Sequence, residues 1–411
     1  MSFFFPQSSS SDTYGALFDI GSGSVLVAIV HSNVKNSHPS ILWSHREHVP
    51  LRDIDSLEQA SKSVMTALIN AAMELDTTGR NVLTQHNSKA RISQIQSSIS
   101  APWSHTITKT INYTQEKPFT ITQTLIAELI KTTEQKIQSD LKQNEALKGL
   151  GLQSITAVTM DTLANGYHIK NPKDGSALEF SISRANVVAQ GPIINAMNET
   201  SEKLFADIDH KQLSFMLMAF SVMRDLLPQK YEITIVDITY EATELGIVRD
   251  GSLQYCTHTP FGSFSLAREI AAALSVPLSE AFGYLHTQEP LTFLDHVSDA
   301  QKGEVDEIFE AYIEKITSLF KETGDELSIP KTIALHVDLN SEPLFLNLIE
   351  KAAKRCTKST PVITLVTTEI LNQTFDKKTT KTFFAHSSDT ALLLSALFFH
   401  KHHNSTTFTN V

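Results

Sequence analysis

The segment Tyr14-Gly-Ala-Leu-Phe-Asp19-Ile-Gly21-Ser22-Gly23-Ser24-Val25-Leu-Val-Ala-Ile-Val30 joins two short apolar runs through a turn of glycine and serine. Short apolar runs that are rich in Val and Ile and bounded by glycine read as β-strands. Asp19 closes the first of them. Gly21 and Gly23 place residues without a Cβ where a tight turn can bring backbone N–H groups against a ligand. Ser22 and Ser24 add hydroxyls, and Asp19 is the kind of residue that holds the water shell of Mg2+. The pattern is not a dinucleotide fingerprint, because that motif must open a helix and Val25 to Val30 is a strand. An ordinary hairpin with a glycine turn would look the same, so this segment alone leaves both readings open.

The pattern recurs in the second half of the chain. Tyr231 to Asp237 reads as a strand, Ile238 to Thr243 as a turn and Glu244 to Arg249 as a second strand. Asp250-Gly251 is a hairpin turn into Leu253 to Thr259, and a helix follows over Ser265 to Leu274. The first unit likewise continues into a strand, Ile41 to His48, and a helix, Ser56 to Leu75. That helix carries Leu57, Ala60, Val64, Leu68, Ala71 and Leu75 at helical spacing, with Asp55 or Ser56 as N-cap. Asp19 and Asp237 hold the same place in the two units. A duplication of this kind implies two similar domains facing each other across a cleft, where ligands preferentially sit.

Between the units, Arg91 to Ile111 reads as extended and Phe119 to Leu147 as helical. Strands are expected over Ile155 to Met160 and Gly166 to Ile169. The turn Asn171-Pro172-Lys-Asp-Gly175 then leads into the alternating stretch Ala177 to Val188. Helices are expected over Ile193 to Phe205 and Lys211 to Leu227. After the second unit come a helix, Gly303 to Glu322, a strand, Thr332 to Val337, and a helix, Pro343 to Arg355. A strand, Val362 to Val366, and a last helix, Asp389 to Phe399, complete the pattern.

Composition narrows the function. In 411 residues, 34 Lys and Arg face 45 Asp and Glu, so a polyphosphate backbone would be repelled overall and no local basic stripe offsets this. Nucleic acid is therefore not an expected partner. Cys256 and Cys356 form no C-x-x-C pair, so neither a zinc signature nor a disulfide framework is present, in keeping with a reducing cytoplasm. The apolar run Ala391 to Phe399 is far short of the roughly 20 residues a membrane span needs, and the start lacks a signal-peptide pattern. A cytoplasmic protein is expected, with Phe3-Phe4-Phe5 as an unfixed terminus. His400, His402 and His403 are expected to be solvated rather than metal-binding, since they have no acidic or Cys partner.

These motifs, in this order, resemble the actin-like ATPase superfamily, and within it the FtsA cell-division and PilM pilus-assembly families. The family's first phosphate loop is matched by Asp19, Gly21, Ser22, Gly23 and Ser24. Its second is matched by Val236-Asp237-Ile through Asp250-Gly251, with Thr243 inside it. The stretch that follows in FtsA is matched by Pro260-Phe-Gly262-Ser-Phe-Ser-Leu-Ala-Arg-Glu269-Ile-Ala271. Tyr167 to Gly175 with Leu178-Glu179 has the look of the small subdomain inserted in FtsA. The resemblance implies an α/β fold: an actin-like (ribonuclease H-like) two-domain duplication with a small inserted α+β subdomain. The first domain would comprise 12–105 and 185–230, with a C-terminal helix 386–400 packing back on it. The inserted subdomain would be 106–184, the second domain 231–385, and the disordered tails 1–11 and 401–411.

By the same resemblance, ATP would touch Asp19, Gly21, Ser22, Gly23, Ser24, Asp237, Thr243 and Gly262, and Asp19 and Asp237 would hold Mg2+ through water. The chain departs from the family at the second loop, where Thr239, Tyr240, Glu241 and Ala242 stand in place of a glycine run. Tyr240 and Glu241 bring bulk and negative charge toward where phosphates would lie, and two like charges at ~4 Å repel by about 4 kcal/mol at an effective dielectric near 20. The Gly-Gly turn expected after Thr332 to Val337 is replaced by Asp338-Leu339-Asn340-Ser341. The expectation is therefore a degenerate nucleotide site, at most a weak ATPase, with no catalytic residue singled out. As an FtsA-like scaffold, the chain would bind the C-terminal tail of FtsZ at the inner face of the membrane and self-associate through the inserted subdomain. As a PilM-like platform, it would bind the tail of an inner-membrane assembly protein. The missing membrane-surface helix at the C-terminus favours the second reading, and the inserted subdomain's pattern favours the first.

Overall fold

The computed structural model describes residues 12–33, 35, 38–51, 56–143, 151–227, 232–324, 329–338, 341–357, 360–367, 370–371 and 389–403. Phe3-Phe4-Phe5, the serine-rich start, Asp55, Tyr231, Leu339, Asn340 and 404–411 lie outside the described residues.

The chain opens with β1 (Asp12–Ile20), β2 (Ser24–Asn33) and β3 (Ser40–His48), followed by α1 (Leu57–Glu74). The side chain of Ser56 accepts from the Gln59 N–H and caps α1. The helix does not end at Leu75 as the periodicity predicts. A π-type turn, Leu75–Gly79, carries it into α2 (Arg80–His86). Here Gly79 lies so close to Trp43 and Ile29 that a Cβ would overlap the Trp43 ring. β4 (Ile92–Ile99) then pairs parallel with β1.

The stretch predicted to be extended to Ile111 is two strands, and the second, β5 (Ser104–Thr120), runs past the expected start of the next helix. Phe119 and Thr120 remain in the sheet because they pair with Ala177 and Ser176, so α3 (Gln123–Gln143) begins only at 123. β6 (Leu152–Ala164), β7 (Tyr167–His168) and β8 (Ser176–Gln190) complete an antiparallel sheet of order β5-β8-β6-β7. Ile121, Leu129, Phe180 and Ile182 form its own small core beneath α3.

α4 (Gly191–Leu204) follows. The single helix expected over Lys211 to Leu227 is instead a strand, β9 (Asp209–Ser214), and a helix, α5 (Phe215–Leu226). Parallel pairing of Gln94 to Ile99 with Asp209 to Ser214 overrides the local pattern. The Ser214 hydroxyl then accepts from the Leu217 N–H and starts the helix. All nine residues from Phe215 to Met223 are buried. A helix apolar on every side has to sit inside the molecule, and α5 packs in one core with residues of both large sheets and of the last helix.

β10 (Ile233–Ile238), β11 (Thr243–Arg249) and β12 (Ser252–Thr259) repeat the opening meander, with Asp250 and Gly251 at positive φ in the hairpin. α6 (Ser263–Leu274), α7 (Leu278–Leu285) and α8 (Asp299–Glu322) cover one face, α8 being capped by Ser298 and Gln301. β13 (Thr332–His336), α9 (Glu342–Lys354) and β14 (Val362–Leu365) complete the second unit. The two large sheets have the same order, β3-β2-β1-β4-β9 and β12-β11-β10-β13-β14, with the same alternation of antiparallel and parallel neighbours.

The last helix, α10 (Thr390–His402), packs Leu392, Ala396 and Phe399 against Leu17, Leu26, Ala28 and Val30 of the first sheet. It extends past the expected tail boundary at 401, and its histidines are not solvated as expected. His402 is buried against Ser221 and Phe398, and burial pushes its pKa down to about 3. His400 and His403 both reach the Ser32 hydroxyl, at 2.7 and 3.2 Å. Among the described residues, no helix is long and apolar enough to cross a membrane.

Candidate functional site

The ends of β1, β10 and β13 and the start of α10 converge on a cleft of about 610 Å³. Asp19, Gly21, Ser22 and Ser24 from the first turn line it together with Asp237, Thr239 and Tyr240 from the second. Cleft-lining positions at strand ends follow from the fold, because the parallel strands of both sheets terminate there.

The first turn is rigidly held. Gly21 N–H donates to the Ser24 carbonyl at 3.0 Å, and the buried Trp103 indole donates to the Gly21 carbonyl at 3.1 Å. Asp19 is 4% exposed and accepts from the Ser98 hydroxyl at 2.8 Å. Burial pushes its pKa up to about 6, against the pull of Arg46 and the Ser98 hydrogen bond. Arg46, on β3, donates to Ser24 Oγ at 2.6 Å and forms an ion pair with Asp389 at 2.6 Å. Burial opposes its charge, but Asp389 and Asp19 outweigh that and hold the guanidinium protonated.

The second turn makes different contacts. Asp237 Oδ1 pairs with His336 Nδ1 at 2.7 Å, and His336 Nε2 meets Thr390 Oγ1 at 2.9 Å. Burial works against a charged His336, yet the Asp237 hydrogen bond and charge prevail and raise its pKa. Asp338, just past β13, is pushed up to about 6 by burial, with Arg46, His286 and His336 opposing. Glu244, opposite Asp237 in register, is completely buried. Burial and the nearby Asp237 charge raise its pKa well above the usual carboxylate range.

The two turns touch each other directly. Ser22 Oγ donates to Thr239 Oγ1 at 3.0 Å and accepts from the Glu241 N–H at 2.9 Å. The Tyr240 ring lies on Gly23, so a Cβ added there would be 2.3 Å from the ring. Glu241 does not point into the cleft. It turns onto Arg268 of α6 in a two-pronged pair at 3.0 and 2.6 Å. Gly262 sits against the backbone of the turn, where a Cβ would be 2.2 Å from the Thr239 carbonyl oxygen. The first amides of α6 donate to the Thr239 and Tyr240 carbonyls at 3.0 and 2.7 Å.

The structure thus brings Asp19, Gly21, Ser22, Ser24 and Asp237 to one cleft, and places Gly23, Thr243 and Gly262 elsewhere. Gly23 is covered by Tyr240. Thr243 donates to the Phe261 carbonyl at 2.9 Å and meets the Tyr312 hydroxyl inside the second domain. Gly262 serves a close backbone approach. Arg46, His286 and Asp389 were not found from the sequence. Only Asp389 carried a signal, as an N-cap before the apolar run of α10.

These residues do not fit a triphosphate held between the turns. The gap is closed by Tyr240 and by the Ser22 hydrogen bonds, and the helix N-terminus that could face an anion is bonded to the turn instead. Four aspartates line the cleft beside the Arg46 guanidinium. No group of three or more His, Cys, Asp or Glu side chains among the described residues is arranged to hold a metal ion. A second cavity, of about 220 Å³ and largely apolar, lies between the inserted sheet, α5 and the β10–β11 edge; of the stretch matched to the second phosphate loop it touches the far end, at Val248, Asp250 and Gly251.

No protein-family model and no curated protein matches the sequence. Among solved structures, a PilM–PilN type IV pilus biogenesis complex matches with a TM-score of 0.52 at 10% identity, covering 94% of this chain and 98% of that one. A Bacteroides thetaiotaomicron protein with an actin-like ATPase fold gives a TM-score of 0.40 at 9% identity over 88% and 93% of the two chains. At such identity the first likeness speaks for the fold alone: the chain is a mixed α/β protein of the actin-like two-domain fold, with two matching five-stranded sheets.

Proposed function

We propose that this protein is a non-catalytic actin-fold scaffold that binds a short tail of a partner protein. The observation that carries this is the direct contact of the two turns. In a fold that can hold a phosphorylated ligand at this place, Tyr240 on Gly23 and the Ser22 to Thr239 and Glu241 bonds occupy the gap with the protein's own atoms. Positioning is most of phosphoryl-transfer catalysis, and a filled gap leaves nothing to position. What remains is a rigid two-lobed body with an inserted sheet, which suits assembly rather than turnover.

For the partner, the favoured reading is the PilM-like one: a cytoplasmic platform that takes the tail of an inner-membrane assembly protein. It is supported by a likeness to the PilM–PilN complex that runs through nearly the whole of both chains. The second reading is an FtsA-like division scaffold that binds the FtsZ tail and self-associates through 106–184. It is favoured by Tyr167, 79% exposed, and the exposed Leu178, both on that sheet, which offer apolar contacts to a second copy.

Calorimetric titration of the full chain with each tail peptide separates the two readings. Saturable binding of the inner-membrane protein's tail supports the platform, and binding of the FtsZ tail supports the division reading. Binding of neither would overturn the scaffold assignment. In a parallel melting experiment, saturating Mg-ATP is expected to leave the melting temperature unchanged, whereas a nucleotide-holding protein would gain a few kcal/mol, about 3 at a hundredfold excess over Kd.

A further inference from the structure

The aspartates that line the cleft differ in how far their oxygens are satisfied. Asp389 uses both: Oδ1 accepts from the Leu392 N–H at 3.0 Å, and Oδ2 takes the Arg46 pair. Asp19 is held by Ser98. Asp237 gives Oδ1 to His336, but its Oδ2 is buried with no hydrogen-bond partner, on a residue only 2% exposed. Asp338 Oδ2 is likewise buried and unpartnered. A buried polar atom left unsatisfied costs about 1–3 kcal/mol, and more when charged. Both of these residues line the cleft rather than the sheet interior.

The wall beside them is aromatic. Tyr240, Phe264 and Phe282 form a cluster with ring centroids 4.4, 5.9 and 4.8 Å apart, and all three border the cleft. Phe215 borders it as well, against the His336 ring. The Arg46 guanidinium is already engaged by Asp389 and Ser24.

We infer that this cleft binds a small organic cation of the primary-amine class, with ammonium groups satisfying Asp237 Oδ2 and Asp338 Oδ2 and the carbon chain lying against Tyr240 and Phe282. Each element of the site matches that chemistry. An ammonium brings three donors and no acceptor to oxygens that lack a donor. Aromatic faces attract cations and also cover methylene groups. A volume near 610 Å³ lies within the ~300–1,000 Å³ usual for small-molecule pockets. A hard divalent ion keeps most of its water shell and touches few carboxylates, and among the described residues no group of three or more His, Cys, Asp or Glu side chains is arranged to hold one directly, so MgCl2 serves as the control ligand below. A phosphorylated ligand would meet the same carboxylates as repulsion. The inference rests on the closed gap that the scaffold reading also uses, but it is independent of which tail that scaffold binds.

The experiment is a calorimetric titration of the full chain with 1,4-diaminobutane at pH 8 and constant ionic strength. Saturable one-to-one binding is expected, weakened about tenfold or more by Asp338→Asn and by Asp237→Asn, and several-fold by Tyr240→Leu. Melting curves of each variant show whether it is folded. If Asp237→Asn does not fold, Asp338→Asn alone decides, since that residue follows the end of β13 rather than lying within a strand. The inference is overturned by the absence of saturable heat, by an equal response to MgCl2 alone, or by binding that a folded Asp338→Asn variant leaves unchanged. Tail binding by a chain that ignores the amine would refute this inference and leave the scaffold standing; the converse result would do the opposite.

Discussion

Two turns of this molecule start from the same place and end differently. Asp19 and Asp237 both stand near the end of the central strand of a five-stranded sheet, and both are followed by a turn into an antiparallel neighbour. After Asp19 the side chains stay small, and the turn is fixed from outside by Trp103 and by its own Gly21 to Ser24 bond. After Asp237 the side chains grow, and the turn is fixed by reaching out: Tyr240 to Gly23, Glu241 to Arg268, and its carbonyls to the start of α6. One backbone plan can thus present an open cradle or the plug that fills it. Which of the two it is depends on three or four side chains and not on the fold.

Substitutions that disturb the plug test this contrast, and the largest effect is expected from Arg268→Ala. Glu241 is 7% exposed and relies on that guanidinium, so removing it leaves a buried charge uncompensated and should destabilise by about 3–5 kcal/mol in denaturant unfolding. A loss near zero would mean that Glu241 swings into the cleft, and the contrast between the turns would weaken.

The next effect is electrostatic and belongs to the first turn. The Asp19 carboxyl titrates near 6 in the fold against an ordinary value of 3.8, because burial disfavours its charge. Such a raised pKa means that the folded protein binds the proton more tightly than the unfolded chain does. Asp19 therefore favours folding below pH 3.8 and loses that advantage as the pH rises through 6. Relative to the native chain, Asp19→Asn should thus gain on the order of 2 kcal/mol between pH 4 and pH 8. Urea titrations of both proteins at several pH values measure this difference. Buried histidines act in the opposite direction: burial and the neighbouring His258 push His105 down to about 4, and burial does the same to His210. Both proteins should lose stability together from this source as the pH falls from 6.5 to 4, and the comparison cancels it.

Smaller again is Gly23→Ala. A methyl group there overlaps the Tyr240 ring, so a loss of about 1–3 kcal/mol is expected. A double-mutant cycle with Tyr240→Ala should show that loss largely disappear, because the clash partner is gone. If the cost persisted in the double variant, the closeness of the two turns would not be its cause. Ser22→Ala is expected to have the smallest effect, about 1 kcal/mol for the cross-domain hydrogen bonds, read by the same unfolding measurement.

Much of the architecture was legible from residue order. Repeated strand–turn–strand–strand units, an Asp at each strand end and the periodicity of α1 and α8 led to two matching sheets. The errors share one cause. Lys211 to Ser214 reads locally as the beginning of the apolar helix after it, and it becomes part of β9 because β4 offers it an edge. Phe119 and Thr120 stay extended because β8 pairs with them. His402, read as a solvated tail residue, is buried because α10 returns to α5 and the first sheet.

What the sequence determined by itself is whatever depends on neighbours along the chain: apolar period, glycine turns, capping residues and the duplication. The tertiary structure alone decided what depends on distant partners. Gly23 and Tyr240 are more than two hundred positions apart, as are Arg46 and Asp389, so nothing local marks them as pairs. The loss of glycines in the second turn was visible. That Tyr240 would fill the gap follows from how the two lobes face each other, and that Glu241 would turn away to Arg268 and two carboxylate oxygens would be left without donors follows from side-chain packing around the second turn.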